Sequence, residues 1–343
     1  MVNTPLLQVK DLRIAFRTGA GPVTVVDGVD FSIDEGETLG IVGESGSGKS
    51  VTCLSILGLL ENAQVSGEIL LRGENLLALD RAGLRAVRGA SIGMVFQDPL
   101  ASLNPYHRIG WQLVEAIQAH GRTSRRAARA RALELLGQVG IPHPAQRLDD
   151  WPHQFSGGMR QRVMIAMALA NHPALLIGDE PTTALDVSVQ AQILELLARL
   201  QDELGIAVIL VTHNLGIVAQ IADRVMVMYA GRVVESGSIW DIFRESAHPY
   251  TWGLLSSVPS LTGPVLLSDG EARLRSIRGL PPNPTAMPSG CRFHPRCGFV
   301  MDVCRTDVPQ LESADRPGHR AACHLPPERR TAARLEATVS GDG

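Results

Sequence analysis

The chain predicts an α/β fold: a domain around a mostly buried sheet, a helical subdomain inserted into it, and a smaller loop-rich unit at the end. Three observations carry this expectation. From Leu6 to about Ser238, short Val/Ile/Leu-rich runs alternate with longer helical patterns. Between Asp98 and Asn171 the clear patterns are helical only. After Ala247 prolines and glycines become frequent, as in Gly279-Leu280-Pro281-Pro282-Asn283-Pro284, and periodicity fades. A length of 343 residues with 45% hydrophobic content suffices for about two domains and excludes a small disulfide scaffold or a disordered tail.

The elements follow in order. Strands are expected at Leu39 to Val42, Ser91 to Phe96, Ala174 to Gly178, Ala207 to Val211 and Arg224 to Tyr229, each a short apolar run. Helical runs cover Val51 to Leu60 and Arg162 to Ala170. Within the insertion, Thr123 or Ser124 caps a helix with Leu133, Leu136 and Val139 (and Leu135 beside them) at helical spacing, and Gly140 followed by Pro142 ends it. Residues Pro326 to Gly343 read as a partly helical or frayed tail.

Charge and hydropathy exclude several functions. Thirty-two basic against thirty-five acidic residues leave a net charge of -3, so no global positive field exists to hold nucleic acid. Arg122, Arg125, Arg126, Arg129 and Arg131 read as a solvated helix face. The longest apolar runs, such as Gly205 to Val211, are strand-sized and far short of the roughly 20 residues that cross a bilayer. Met1 to Lys10 lacks the pattern of a secretory signal, so the expected compartment is the cytosol, where cysteines are thiols or metal ligands.

Chemistry enters directly after the first of these strands, at Gly43-Glu44-Ser45-Gly46-Ser47-Gly48-Lys49-Ser50, followed by the helical run from Val51. This is the P-loop pattern in its strand-loop-helix context. Glycines let backbone N–H groups turn around phosphate oxygens, and the helix N-terminus adds its positive end. Lys49 reaches the β- and γ-phosphates, and the Ser50 hydroxyl binds Mg²⁺. A second constellation, Leu175-Leu176-Ile177-Gly178-Asp179-Glu180, ends an apolar strand in two acids. Asp179 is placed to hold the Mg²⁺ shell, and Glu180 to polarise a water for in-line attack on the γ-phosphate. A strand ending in acids is common, and its weight comes from pairing with the P-loop.

Phe155-Ser156-Gly157-Gly158-Met159-Arg160-Gln161 opens another helix and makes a second potential phosphate nest, though Ser-Gly-Gly alone also reads as a helix cap. With only one P-loop in the chain, that surface makes most sense against the nucleotide of another subunit.

With these motifs in hand, the sequence resembles the ATPase subunit of an ATP-binding cassette (ABC) transporter over nearly its whole length. Ser156 to Gln161 match the family signature, Ala184-Leu185-Asp186 the D-loop, His213 the switch histidine and Gln97 the Q-loop. Phe155 stands where Leu is commoner and Gly178 where Ala is frequent, and neither change removes a functional group. The resemblance implies a RecA-like P-loop NTPase core over residues 1–246, with its helical subdomain at about 98–171. It implies a head-to-tail dimer in which ATP lies between the P-loop residues Gly43 to Val51 of one subunit and Ser156, Gly157, Gly158 and Asp186 of the other. Phe16 is then the aromatic that stacks on adenine, His213 contacts the γ-phosphate, and Gln97 touches the metal or attacking water beside Ser50 and Asp179. Glu180, His213, Gln97 and Lys49 form the implied catalytic set.

The loop Gln97-Asp98-Pro99-Leu100-Ala101-Ser102-Leu103-Asn104-Pro105 is similar to the form in peptide and nickel importers and reads as the docking edge for a membrane partner. Cys291, Cys297, Cys304 and Cys323 lie in the last unit, residues 247–343, with five, six and eighteen residues between neighbours, while Cys53 sits on the P-loop helix as a buried hydrophobe. Thiolates suit Zn²⁺ or an iron–sulfur cluster, and the absence of Cys-x-x-Cys weakens a zinc ribbon. Pro288 to Cys297 resembles the extension of oligopeptide and dipeptide importer ATPases, which implies a four-iron, four-sulfur cluster with zinc as the alternative, and His294, His319 and His324 as substitute ligands. The implied function is an ATPase powering peptide import at the cytoplasmic face of the membrane. Its implied partners are a second ATPase subunit in a heterodimer, two permease subunits and an extracytoplasmic solute-binding protein, with no nucleic acid. A nickel or other small-solute importer and a non-transport ATPase of DNA repair or translation are the alternatives.

Overall fold

The computed structural model describes residues 4–19, 21–183, 185–257, 265–266, 272–273, 277–314 and 316–339. The chain begins with long strands β1 (Leu7–Thr18) and β2 (Gly21–Ile33), then β3 (Thr38–Val42) and helix α1 (Lys49–Ile56). Strands β4 (Ala63–Leu71) and β5 (Glu74–Asn75), helix α2 (Arg81–Val87) and strand β6 (Ile92–Val95) follow. The helical insertion holds α3 (Pro99–Ser102), α4 (Ile109–Gln118), α5 (Arg125–Gln138), α6 (Pro144–Arg147) and α7 (Gly157–Ala168). Then come β7 (Leu175–Asp179), α8 (Val187–Leu204), β8 (Ala207–Thr212), α9 (Leu215–Ile221), β9 (Arg224–Tyr229), β10 (Arg232–Ser238), α10 (Ile239–Arg244) and α11 (Pro249–Ser256).

Two sheets face each other. The larger runs β10-β9-β3-β8-β7-β6, with all neighbours from β9 to β6 parallel and β10 antiparallel on β9. β3, β7 and β8 are buried along their whole lengths, as expected for parallel strands covered on both faces. The smaller sheet, β2-β1-β4-β5, is antiparallel. Leu7, Val9, Leu12 and Ile14 of β1, with Ile69 of β4, point into a core shared with Cys53 and Ile56 of α1 and with Ile41, Ile177 and Ile209 of the larger sheet. The P-loop helix is therefore clamped between the sheets.

The five expected strands are all present, within a residue or so of the expected bounds. The helix predicted from Thr123 or Ser124 is α5, capped by Ser124, whose Oγ accepts from Ala127 N–H at 3.2 Å. Leu135, Leu136 and Val139 are buried, whereas Leu133 faces out. Arg122, Arg125, Arg126 and Arg129 are exposed and Arg129 pairs with Asp149, as befits a solvated face, whereas Arg131, paired with Glu134, is mostly covered at 19% exposure. α4, α5, α7 and α8 share the core of the insertion, in which Leu113, Leu136, Val163 and Leu197 are buried.

The C-terminal segment packs on the remaining face of the larger sheet. Phe293 and Tyr250 join Val42, Val227 and Tyr229 in one core, with Cys291 and Cys297 at its margin. Strand Arg320–Ala321 adds to the free edge of β10 and pairs in turn with Glu312–Ser313. At that edge Glu235 is fully buried, accepting from Ala247 N–H and His248 N–H (2.6 and 3.1 Å) and facing His319 Nε2 at 2.8 Å. The expected tail is a helix over Pro327–Val339, with 340–343 outside the described residues. Among the described residues no helix is long and apolar enough to cross a membrane.

Candidate functional site

The carboxyl ends of β3, β6, β7 and β8 lie at one edge of the larger sheet, where open α/β sheets bind ligands. The loop after β3 needs its glycines. Gly43 has φ +154°, and a Cβ there would lie 2.2 Å from the Met228 carbonyl oxygen. Gly46 and Gly48 also have positive φ, and Gly48 caps α1 in the left-handed conformation. Ser45 and Gly46 are exposed, while Ser47 and Lys49 are buried and Val51 lies in the first turn of α1. Lys49 Nζ donates to the Gly43 and Glu44 carbonyls at 2.8 and 3.0 Å, folding its ammonium across the loop. Burial pushes the Lys49 pKa down, against the pull of Glu180 and Asp179.

Opposite the loop, Ser50 Oγ donates to Asp179 Oδ1 at 2.8 Å. Burial raises the Asp179 pKa, an effect that the Ser50 hydrogen bond opposes and the adjacent Glu180 charge reinforces. Glu180 has φ +48°, strained for a residue with a Cβ, and its N–H is anchored on the Val211 carbonyl at 2.9 Å. Its Oε2 accepts from Thr183 Oγ1 at 2.8 Å and from Gln97 Nε2 at 3.2 Å, and its Oε1 faces His213 Nδ1 at 3.2 Å. Burial alone would raise the Glu180 pKa, but Thr183 and His213 outweigh it and hold the carboxyl below its usual range. Two neighbouring acids are thus shifted in opposite directions, the pattern of carboxylates with different tasks.

Ser50 Oγ and Asp179 Oδ1 are hard oxygen donors side by side, and Ser47 Oγ is buried in the loop without a hydrogen-bond partner. This set fits Mg²⁺, which takes one or two carboxylates and completes its shell from phosphates and water. Gln97 reaches Glu180 in this arrangement. Phe16 is half-buried on β1, opposite Val23 and Ala63, with part of its ring against the core.

A second surface is built at α7. Ser156 caps this helix, its Oγ accepting from Met159 N–H at 3.3 Å, and Ser156 and Gly157 are exposed. A Cβ on Gly158 would lie 2.5 Å from Val189 Cγ1, and one on Gly157 would lie 3.4 Å from Leu185 Cδ2, so the start of α7 packs closely on the start of α8. Asp186 caps α8, accepting from Val189 N–H at 2.9 Å and Ser188 Oγ at 2.6 Å. Ala184 of the expected D-loop lies outside the described residues.

A family profile for ABC transporters matches residues 26–183, and one for the oligopeptide/dipeptide transporter C-terminal region matches 234–304. A Brucella melitensis protein named for peptide import ATP binding is 50% identical over 331 residues, which is 94% of this chain and 98% of its own. The oligopeptide transport ATP-binding protein OppD of Bacillus subtilis is 52% identical over 303 residues, 88% of this chain and 83% of OppD. The chain belongs to the ABC transporter family. Its fold is that of the ABC ATPase cassette. The cassette MJ0796, solved as a dimer in a post-hydrolysis state bound to ADP and Pi, is similar with a TM-score of 0.61 at 32% identity, covering 68% of this chain and 98% of that one. Likewise cbiO1 from Clostridium perfringens, part of the ABC transporter complex cbiONQ, has a TM-score of 0.61 at 33% identity over 70% of this chain and 91% of its own.

This ABC ATPase contains site residues that its motifs did not reveal. Thr183 holds Glu180, and nothing in its spacing marks it. Tyr250 and Arg296 both hold Glu44, from two segments far along the chain. At the four C-terminal cysteines, burial pushes Cys297 up to about 12 and Cys323 up to about 11, and nearby thiols push in the same direction. Among the described residues no group of three or more His, Cys, Asp or Glu side chains is gathered closely enough to hold a metal ion. His294 and His324 instead face the backbone carbonyls of Cys291 and Asp307, and His319 faces Glu235.

Proposed function

We propose that the chain is the ATP-hydrolysing subunit of a peptide importer, acting at the cytoplasmic face of the membrane. One observation carries the reading: Lys49, Ser50, Asp179, Glu180, Gln97 and His213 converge at the end of the parallel strands, in a chain matched over 234–304 by the oligopeptide/dipeptide transporter region. Residues 1–246 form the ATPase domain, with its helical subdomain at about 98–171, and 247–343 form the importer extension.

In this reading Phe16 stacks on adenine, and the Gly43 to Val51 backbone surrounds the phosphates. Lys49 exchanges its bonds to Gly43 and Glu44 for the β- and γ-phosphates. Ser50, Asp179 and Gln97 hold Mg²⁺, which neutralises charge building on the β- and γ-oxygens. Glu180, charged at neutral pH, orients the attacking water and accepts its proton. His213 steadies the γ-phosphate, and Gln97 relays the state of the site to the loop ending at Pro105, the docking edge for a permease. Ser156, Gly157, Gly158 and Asp186 serve the nucleotide of a second ATPase subunit, as the exposed start of α7 allows. That subunit is a different chain, two permease subunits complete the channel, and an external solute-binding protein delivers cargo.

The four cysteines, whose thiols lie within electrostatic reach of one another, hold a four-iron, four-sulfur cluster in this reading. A cluster of four irons spreads its thiolates wider than a single ion does, and iron and sulfide assay of anaerobically purified protein tests it. Peptide uptake by vesicles carrying the assembled transporter tests the function: Lys49→Ala abolishes ATP binding and uptake together. Uptake unchanged by this substitution contradicts the proposal.

A further inference from the structure

The P-loop is gripped from outside by the segment between the first two C-terminal cysteines. Arg296 is only 5% exposed, and its guanidinium makes a two-pronged contact with the Glu44 carboxylate, Nη1 to Oε2 at 2.7 Å and Nη2 to Oε1 at 3.0 Å. The same guanidinium is fixed by the Arg278 carbonyl at 2.8 Å and by Tyr229 OH at 3.3 Å. Glu44 is held on every side. Its N–H donates to Tyr250 OH at 2.8 Å, its carbonyl accepts from Lys49 Nζ at 3.0 Å, and its carboxylate is paired with Arg296.

Four residues earlier, Arg292 reaches the loop through intermediate residues. It donates to the Ala230 carbonyl and to Asp27 Oδ2. The adjoining Gly231 N–H donates to the Ser47 carbonyl at 2.9 Å, and Gly231 O accepts from Asp27 N–H at 2.9 Å. The segment that presents both arginines is itself stiff: Cys291 N–H bonds the Cys304 carbonyl at 2.9 Å, and a short 3₁₀ turn spans His294–Arg296.

We propose that Arg296, seconded by Arg292, is a positioning residue for ATP binding: the cysteine-bearing loop braces Glu44 and thereby sets where Lys49 and the loop carbonyls stand. A planar guanidinium suits the task because it fixes a carboxylate in orientation as well as distance, which an ammonium does not. The P-loop is then completed by a segment some 250 residues away in sequence, a count that follows from Glu44 and Arg296 being separated by 252 positions. The inference rests on the reading of the P-loop as the ATP site.

The test is a double-mutant cycle on the full chain in its assembled transporter, reading ATP affinity, KM and kcat. Arg296→Ala raises Kd and KM for ATP about tenfold and leaves kcat at saturating ATP within about twofold. Arg296→Lys recovers part of the loss. Glu44→Ala gives a similar loss, and the double variant is no worse than either single one. Glu44→Gln, which keeps the loop backbone and side-chain length, weakens ATP binding even if the Arg296 variants do not fold. Unchanged KM in Arg296→Ala or in Glu44→Gln overturns the proposal, as do additive losses in the double variant. Lys49→Ala separates the two readings. If it binds ATP normally the nucleotide site is misassigned, whereas if it loses binding while Arg296→Ala does not, only the brace is wrong.

Discussion

Replacing Glu180 with glutamine removes one charge from the centre of the site while preserving side-chain length. Three groups surround the carboxylate: Thr183 Oγ1 at 2.8 Å, Gln97 Nε2 at 3.2 Å and His213 Nδ1 at 3.2 Å. A carboxamide keeps one acceptor oxygen for Thr183 and Gln97, and its NH₂ then faces the histidine, which accepts in its other tautomer. The fold therefore survives, and the loop proposed to hold triphosphate is untouched. What disappears, on the proposed assignment, is the group that takes the proton from water. General-base catalysis contributes about 10²- to 10⁴-fold, or roughly 3 to 5 kcal/mol of barrier. Phosphate release by the assembled transporter should accordingly fall by at least about a hundredfold while ATP affinity holds or tightens, because a negative charge near the triphosphate is gone. Turnover within about threefold of the parent, or a loss of ATP affinity parallel to the loss of turnover, refutes the assignment.

Other substitutions probe the framework. Glu235→Ala strips Ala247 N–H, His248 N–H and His319 of their common buried partner, and should cost about 3 to 5 kcal/mol in chemical unfolding; a cost below about 1 kcal/mol would show that the edge of β10 does not depend on it. Gly43→Ala drives a Cβ to 2.2 Å from a backbone oxygen at φ +154°, so ATP binding and thermal stability should fall together, and a variant normal in both contradicts the described loop. Burial raises the Asp27 pKa, but Arg232, Arg292 and Arg13 outweigh it and hold the carboxyl below its usual 3.8. Its stabilising effect is present above the unfolded value and is lost as pH falls through the lower folded value. Asp27→Asn should therefore flatten the acid limb of urea unfolding midpoints measured between about pH 6 and pH 3; an unaltered acid limb would mean that these arginines do not act through Asp27.

The parallel sheet was legible because its strands are short, wholly apolar and bounded by turn residues, as in Ala207 to Val211 and Arg224 to Tyr229. The site motifs were legible for a related reason: a phosphate nest demands glycines, a lysine and a hydroxyl at fixed spacing. The antiparallel sheet was hidden. β1 alternates correctly at Leu7 and Val9, then a bulge at Asp11, with φ +42°, resets the phase before Leu12 and Ile14. Gly67 faces that bulge, where a Cβ would lie 2.5 Å from the Lys10 and Asp11 carbonyls, a contact that no local pattern announces. Leu133 matched the helical period of α5 but sits on its outer side, since period alone does not say how wide the buried stripe is. The Glu44–Arg296 pair joins residues 252 positions apart, and Glu235 meets His319 across 84, so both are products of tertiary packing.

The central claim is that ATP joins two polypeptides, and one measurement addresses it directly: a structure of the Glu180→Gln transporter, with both ATPase chains and the permeases, solved in the presence of ATP. The nucleotide bound at Lys49 should also touch the second ATPase chain, and Ser156 to Gly158 of this chain should touch the nucleotide held by that partner. A triphosphate enclosed by this chain alone, with Ser156 to Gly158 turned toward solvent, would contradict the account.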